Sequence, residues 1–143
     1  MERRGPEESA FDAVTGAVLA AAFEVHTRLG PGLLESAYEA CLAYELRKRG
    51  HSVERQQELP LRYGEVLLEV GYRIDLLVDG VVIVEVKSVD ALAPIHVAQL
   101  LTYLRLADRR VGLLLNFNVL QLRNGIKRII NSQSLCVPPR PRR

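Results

Sequence analysis

Two short runs, Tyr72-Arg73-Ile74-Asp75 and Val84-Glu85-Val86-Lys87, flank a turn at Asp79-Gly80 and decide how this 143-residue chain is read. Ile, Leu and Val dominate the interval, so both runs have strand composition and the Asp-Gly between them signals a hairpin. Side chains alternate faces along a strand, and slipping the pairing by one residue turns the whole set over. Asp75, Glu85 and Lys87 are odd-numbered, whereas Ile74, Leu76, Val82, Val84 and Val86 are even and apolar. A three-residue Val78-Asp79-Gly80 loop with Gly80 left-handed sets Leu77 opposite Val81 and Arg73 opposite Glu85, which keeps the odd residues together. A two-residue Asp79-Gly80 loop would set Glu85 opposite Ile74 and divide the acids between faces. The expectation is the three-residue loop, giving one apolar face and one face on which two acids and a lysine lie close together.

Carboxylates so placed suit a hard divalent cation, since Mg²⁺ takes oxygen ligands at roughly 2.0–2.1 Å. Such an ion polarises a phosphoryl oxygen and lowers the pKa of a bound water. An ammonium beside it, that of Lys87, would offset the negative charge that develops during attack. The plainer reading makes Glu85 and Lys87 a solvated ion pair contributing about 0–1 kcal/mol. Short acid-x-lysine patterns are common, so the hairpin favours a site without deciding it.

The length fits one domain with a real core, and leaves no room in these residues for a motor or a second catalytic unit. Formal charge is +2, yet Val137–Arg143 holds three arginines and no acid, leaving 16 basic against 17 acidic residues in the body. That body lacks the basic footprint typical of nucleic-acid binding, so any such role requires local focusing by Arg73, Lys127, Arg128 and the Arg105, Arg109, Arg110 group, or a complex that is weak and metal-dependent. Cys41 and Cys136 fit neither a disulfide framework nor a zinc spacing, and three scattered histidines add no metal cluster. No leader and no apolar run near the roughly 18 residues of a membrane span is seen, and the expectation is a cytoplasmic protein with no membrane partner.

Along the chain, residues 1–8 read as a frayed terminus. Ser9 with Asp12 resembles a capping box, opening a helix through Phe11, Val14, Val18, Ala22, Val25 and Leu29 that stops at Gly30-Pro31-Gly32. A second helix is expected from about Leu33 to Arg49, and one or two strands between Ser52 and Val70. A third helix follows Pro94 and runs to about Asp108. Val111–Phe117 reads as a buried strand. Asn124-Gly125 reads as a tight turn between strands at 120–123 and 126–130. Core residues 9–131 thus form the single domain, and 132–143 a Pro/Arg-rich tail that dangles. The order of elements gives an α/β sandwich with a small mixed central sheet flanked by helices and the hairpin at its centre.

Two helical stretches add polar groups. Glu35 falls in line with Tyr38, Leu42 and Leu46, along an apolar stripe and away from water, where a carboxylate needs a partner. His96, Gln99 and Tyr103 recur at three- and four-residue intervals beside Leu100, Leu101 and Leu104, which by itself reads as a solvated face, with His96 a satisfied structural histidine.

Asp75 with Glu85-Val86-Lys87 resembles the core of the PD-(D/E)XK nuclease superfamily, and Gly32-Leu33-Leu34-Glu35-Ser36-Ala37-Tyr38 resembles the signature of its small GxxExxY family. The similarity continues through His96-Val97-Ala98-Gln99 to Tyr103 and through Gly112-Leu113-Leu114-Leu115-Asn116-Phe117, from about residue 10 to 131. Ile74 stands where the motif has proline, a departure common in the superfamily. The resemblance implies a restriction-endonuclease-like α/β sandwich and a nuclease dependent on Mg²⁺ or Mn²⁺. Asp75, Glu85 and the Val86 carbonyl would hold the metal, with Glu35 reaching it directly or through water. Lys87 would assist the attacking water, Gln99 would orient the site, and Tyr103 and Arg73 would contact the substrate. The substrate implied is nucleic acid, DNA before RNA, and a homodimer or partner protein is compatible with so small a domain. A different class of function, a non-catalytic nucleic-acid- or protein-binding module on the same scaffold, fits the near-neutral body, whereas Asp75, Glu85, Lys87 and Glu35 together argue for chemistry.

Overall fold

The computed structural model describes residues 6–132, and the expected tail from residue 133 on and the first five residues of the expected frayed terminus lie outside them. Helix α1 spans Pro6–Leu29 and α2 Glu35–Lys48. Strands follow at β1, Val53–Glu58; β2, Leu61–Tyr63; β3, Val66–Leu68; β4, Arg73–Val78; and β5, Val82–Lys87. Helix α3, Pro94–Ala107, leads to β6, Val111–Asn116, and β7, Ile126–Ile130, closes the order. Because α1 begins at Pro6, Ser9 lies inside its first turn and caps nothing. Proline suits a first turn, where its missing N–H has no helical acceptor. Asp12, expected to share that cap, accepts from Arg128 on β7 at 3.0 Å.

One five-stranded sheet runs β1-β4-β5-β6-β7, antiparallel except for β5 and β6, which are parallel across the α3 crossover. Helices α1 and α2 cover one face. Val18, Ala22, Val25, Tyr38, Leu42 and Leu46 bury against Leu76, Val78, Val82, Val84, Val86 and Leu113 there. Helix α3 covers the other face, where Leu100 and Leu104 meet Leu77, Ile83 and Leu114. A valine or leucine so enclosed contributes about 1.5–3 kcal/mol. β5 lies in the middle of the sheet and is buried on both sides, as its run of valine and isoleucine requires.

The hairpin keeps the expected parity with a shifted register. Val78 pairs with Val82, Leu77 with Ile83 and Leu76 with Val84. The loop is therefore Asp79-Gly80-Val81, with Asp79 and Gly80 both at positive φ (52° and 71°). Asp79 tolerates that backbone because its carboxylate is held by His51 Nδ1 at 2.7 Å and by the Ser52 N–H at 2.8 Å. Extended inward, the register sets Asp75 opposite Glu85, and Arg73 does not face Glu85: its Cα partner on β1 is Glu58. Ile74 also leaves the even face and packs on the α3 side.

Two other expectations change. β2 and β3 pair only with each other, as a separate hairpin outside the main sheet. Residues 120–123 form no strand; a 3₁₀ turn at Leu122–Gly125 leads straight into β7, which pairs with β6. A Cβ on Gly125 would collide with the Asn116 carbonyl oxygen, and this close approach requires glycine.

Candidate active site

The β4–β5 ladder opens where its next residues would be Asp75 and Glu85. The Val86 N–H, which a continuing ladder would deliver to a β4 carbonyl, donates instead to Asp75 Oδ2 at 2.8 Å. The Asp75 N–H donates to Glu85 Oε2 at 3.0 Å. Each acid thus accepts from backbone that the sheet leaves unpaired at this gap. N–H and C=O leave a strand residue on the same side, so the Val86 carbonyl opens onto that gap too.

Burial makes these charges expensive. Glu85 is 5% exposed. Its pKa is pushed up to about 8, first by burial and then by the Asp75 charge. Asp75 is pushed up to about 6, mainly by burial, with the Glu39 charge adding to it and the Val86 N–H opposing it. Lys87, half-buried as the last residue of β5, lowers both through its charge. Two carboxylates pushed apart in pKa beside an ammonium form the kind of group that proton-transfer or metal chemistry uses.

Glu35 does not point along the apolar stripe. It is the exposed first residue of α2, and its Oε2 accepts from the Ser88 N–H at 3.1 Å, one residue beyond Lys87. Ser88 Oγ donates to the Leu33 carbonyl at 2.7 Å, a second tie between that segment and the turn before α2. Tyr38 shapes the same turn: its hydroxyl donates to the Gly30 carbonyl and accepts from the Leu33 N–H at 3.1 Å. The Tyr38 ring stacks on Phe117, with centroids 4.6 Å apart. Gly30 and Gly32, at φ 67° and 99°, permit the bend. The spacing of Gly32, Glu35 and Tyr38 therefore has a mechanical meaning, in that it docks the start of α2 against the segment after Lys87.

Tyr103 lies 8% exposed on α3, its ring tilted against Tyr72 at 6.2 Å. Its hydroxyl pKa is raised by burial and then by the Glu85 charge, so it neighbours the carboxylate pair. Gln99 is exposed on α3, and among the described residues no hydrogen bond joins it to the pair. His96 is structural, its Nδ1 accepting from the Ala93 N–H at 2.9 Å at the head of α3. Arg73 is exposed, whereas Arg109 is spent on the Gly80 and Ala107 carbonyls, both at 2.8 Å, at the far end of the hairpin. Arg128, bonded to Asp12, is likewise engaged elsewhere than at the acids.

Sequence reasoning missed Glu39, Gln56 and Asn116. Glu39 is 6% exposed, one helical turn after Glu35, and that four-residue step was the available signal. Its carboxylate takes Gln56 Nε2 at 2.7 Å and Arg55 at 3.1 and 3.2 Å. Asn116, the Cα partner of Lys87 on β6, is 1% exposed. It accepts from the Val89 and Asn118 N–H groups, both at 3.1 Å, and donates to the Val89 carbonyl at 3.0 Å, pinning the chain just after Lys87.

The donor set fits a hard divalent cation: carboxylate and carbonyl oxygens in one gap, with no thiolate or imidazole among them. No group of three or more His, Cys, Asp or Glu side chains forms a metal cage among the described residues. A Mg²⁺-type ion needs no such cage, because it keeps several waters and binds through one or two carboxylates.

A mixed five-stranded sheet between helices, with this site at the end of its central strand, defines the restriction-endonuclease-like class of α/β folds. The family model for the PD-(D/E)XK nuclease superfamily matches residues 12–129, and the chain belongs to that superfamily. Its members generally hydrolyse phosphodiester bonds and use divalent metal ions. No curated protein and no solved structure matches the chain. No helix among the described residues is long and apolar enough to cross a membrane.

Proposed function

We propose that this chain is a Mg²⁺- or Mn²⁺-dependent nuclease that hydrolyses phosphodiester bonds of nucleic acid, DNA before RNA, within the GxxExxY group of its superfamily. The observation that carries the reading is the opened ladder, where Asp75 and Glu85 hold two carboxylates against each other in a buried gap beside Lys87. Asp75, Glu85 and the Val86 carbonyl would hold the metal, with Glu35 on its outer side. When bound, the ion would supply Lewis-acid polarisation of the phosphoryl oxygen and a water of lowered pKa.

The remaining work belongs to the protein. Lys87 orients the attacking water and offsets charge on the phosphoryl oxygens, and its half-buried position strengthens that interaction relative to bulk water. Asn116 and Glu35 hold the backbone just after Lys87 in place, at Val89 and Ser88, so its ammonium is aimed before substrate arrives. Tyr103, Arg73 and the exposed Gln99 stand on the elements flanking the gap, where a nucleic-acid backbone would lie.

The test is cleavage of labelled single- and double-stranded DNA and RNA with Mn²⁺, Mg²⁺ or chelator, run beside Lys87→Ala and Glu85→Gln. Metal-dependent products from the wild type and none from either variant are expected. Products that persist in Lys87→Ala would remove that residue from the mechanism, and their absence with every substrate would favour the binding module.

A further inference from the structure

Strand β1 follows β4 in register through Val53–Val78, Glu54–Leu77 and Arg55–Leu76, then resumes at Gln57–Ile74 and Glu58–Arg73. Gln56 drops out. It is the residue that the register sets opposite Asp75, and its φ is +52°, a left-handed backbone that a side chain with a Cβ adopts only under strain.

The side chain explains what that strain holds in place. Gln56 Nε2 donates to Glu39 Oε1 at 2.7 Å and reaches Asp75 Oδ1 at 3.3 Å. The amide has a fixed sense, because two carboxylates can only accept and the NH₂ must face both. Glu39 is itself anchored by Arg55 through its other oxygen at 3.1 and 3.2 Å. Asp75 is thereby held at both ends, with Oδ2 on the Val86 N–H and Oδ1 on the Gln56 amide.

We infer that Gln56 is a positioning residue which, braced by Glu39 on α2, fixes the rotamer of Asp75 so that its carboxylate is set for a divalent cation. The inference rests on the metal-dependent reading above and extends it to a residue one strand away. A strut from α2 to β4 keeps the carboxylate from turning into the helix interface when the ion is absent, which lowers the reorganisation that binding requires.

Glycine separates the backbone from the side chain, since it takes positive φ freely. Gln56→Gly keeps the left-handed backbone and deletes the amide; Gln56→Met keeps the length and deletes the donor. The measurement is Mn²⁺ binding to the full chain by calorimetry without nucleic acid, with thermal melts of each variant and Asp75→Asn as the control. Gln56→Gly is expected to melt at or above the wild-type temperature yet bind Mn²⁺ about tenfold or more weakly, as loss of a partner to a metal ligand does. Gln56→Met is expected to show the same loss of affinity, and it decides the matter if the glycine variant fails to fold. Wild-type affinity in the folded variant would overturn this inference alone. A wild-type chain with no Mn²⁺ binding dependent on Asp75 would overturn it together with the metal-dependent reading.

Discussion

Replacing Glu85 by glutamine should make the metal-free protein more stable at pH 8 and leave it nearly unchanged at pH 4.5. The shape and the acceptor for the Asp75 N–H survive, because a glutamine oxygen can take the same hydrogen bond. What disappears is a buried charge. In the folded chain Glu85 titrates at about 8 against an ordinary 4.5, with burial the larger cause and Asp75 the second. A folded pKa above the unfolded one means that the native state holds its proton longer, so stability is full below about 4.5 and declines as pH rises toward 8. Roughly three and a half pH units at about 1.4 kcal/mol each set a ceiling of about 5 kcal/mol. Relaxation around a buried charge reduces this, and about 2–4 kcal/mol is expected. Urea titrations in chelator at pH 4.5, 6 and 8 measure it, and the corresponding rise in melting temperature at pH 8 is roughly 5 °C or more. A variant no more stable than wild type at pH 8, or an advantage that does not grow between pH 4.5 and 8, would refute the claim that the site holds its charge against solvation.

Metal binding should run in the opposite direction. Asp75 and Glu85 must release their protons to ligate, so Mn²⁺ affinity is expected to tighten about tenfold per pH unit between pH 6 and 8, where the two acids titrate, and then level off; calorimetry in two buffers of different ionisation enthalpy reads the released protons. Asn116→Ala strands the Val89 and Asn118 N–H groups and leaves the Val89 carbonyl only the Asn118 amide at 3.4 Å; it should cost about 2–3 kcal/mol in urea unfolding and lower cleavage further than that loss explains. Gly125→Ala forces the 3₁₀ turn away from β6 and should destabilise by about 1–3 kcal/mol, as overpacking does, with Mn²⁺ affinity unchanged because the turn touches none of the acids.

The core of the fold was legible because its signals are periodic. Val81–Val84 and Val111–Leu115 are continuous runs free of polar side chains, as strands buried on both faces of a covered sheet require. Parity placed Asp75 and Glu85 together without the exact register, since loops that differ by two residues in the pairing leave every face unchanged. The loop itself turned on Asp79, whose left-handed backbone is held by His51 and Ser52, groups 27 and 28 residues away that no local pattern reveals. Glu35 was assigned to an apolar stripe because helical phase was counted as though it lay inside the helix; as the first residue of α2 it has no preceding turn to bury it. Gln56 and Asn116 escaped for the same reason as the loop: their partners are distant in sequence, and an amide in a strand carries no periodic mark.

The opened ladder bears on how such a protein would drift if its chemistry ceased to matter. Positions 75 and 85 need an acceptor, because two backbone N–H groups depend on them, but asparagine and glutamine accept as well as the acids do and spare the chain a buried charge. Stability alone therefore favours the amides. Under the nuclease function proposed above, two ionisable positions here are a standing handicap at neutral pH, the kind of trade-off that persists where selection acts on reactivity and not on the fold.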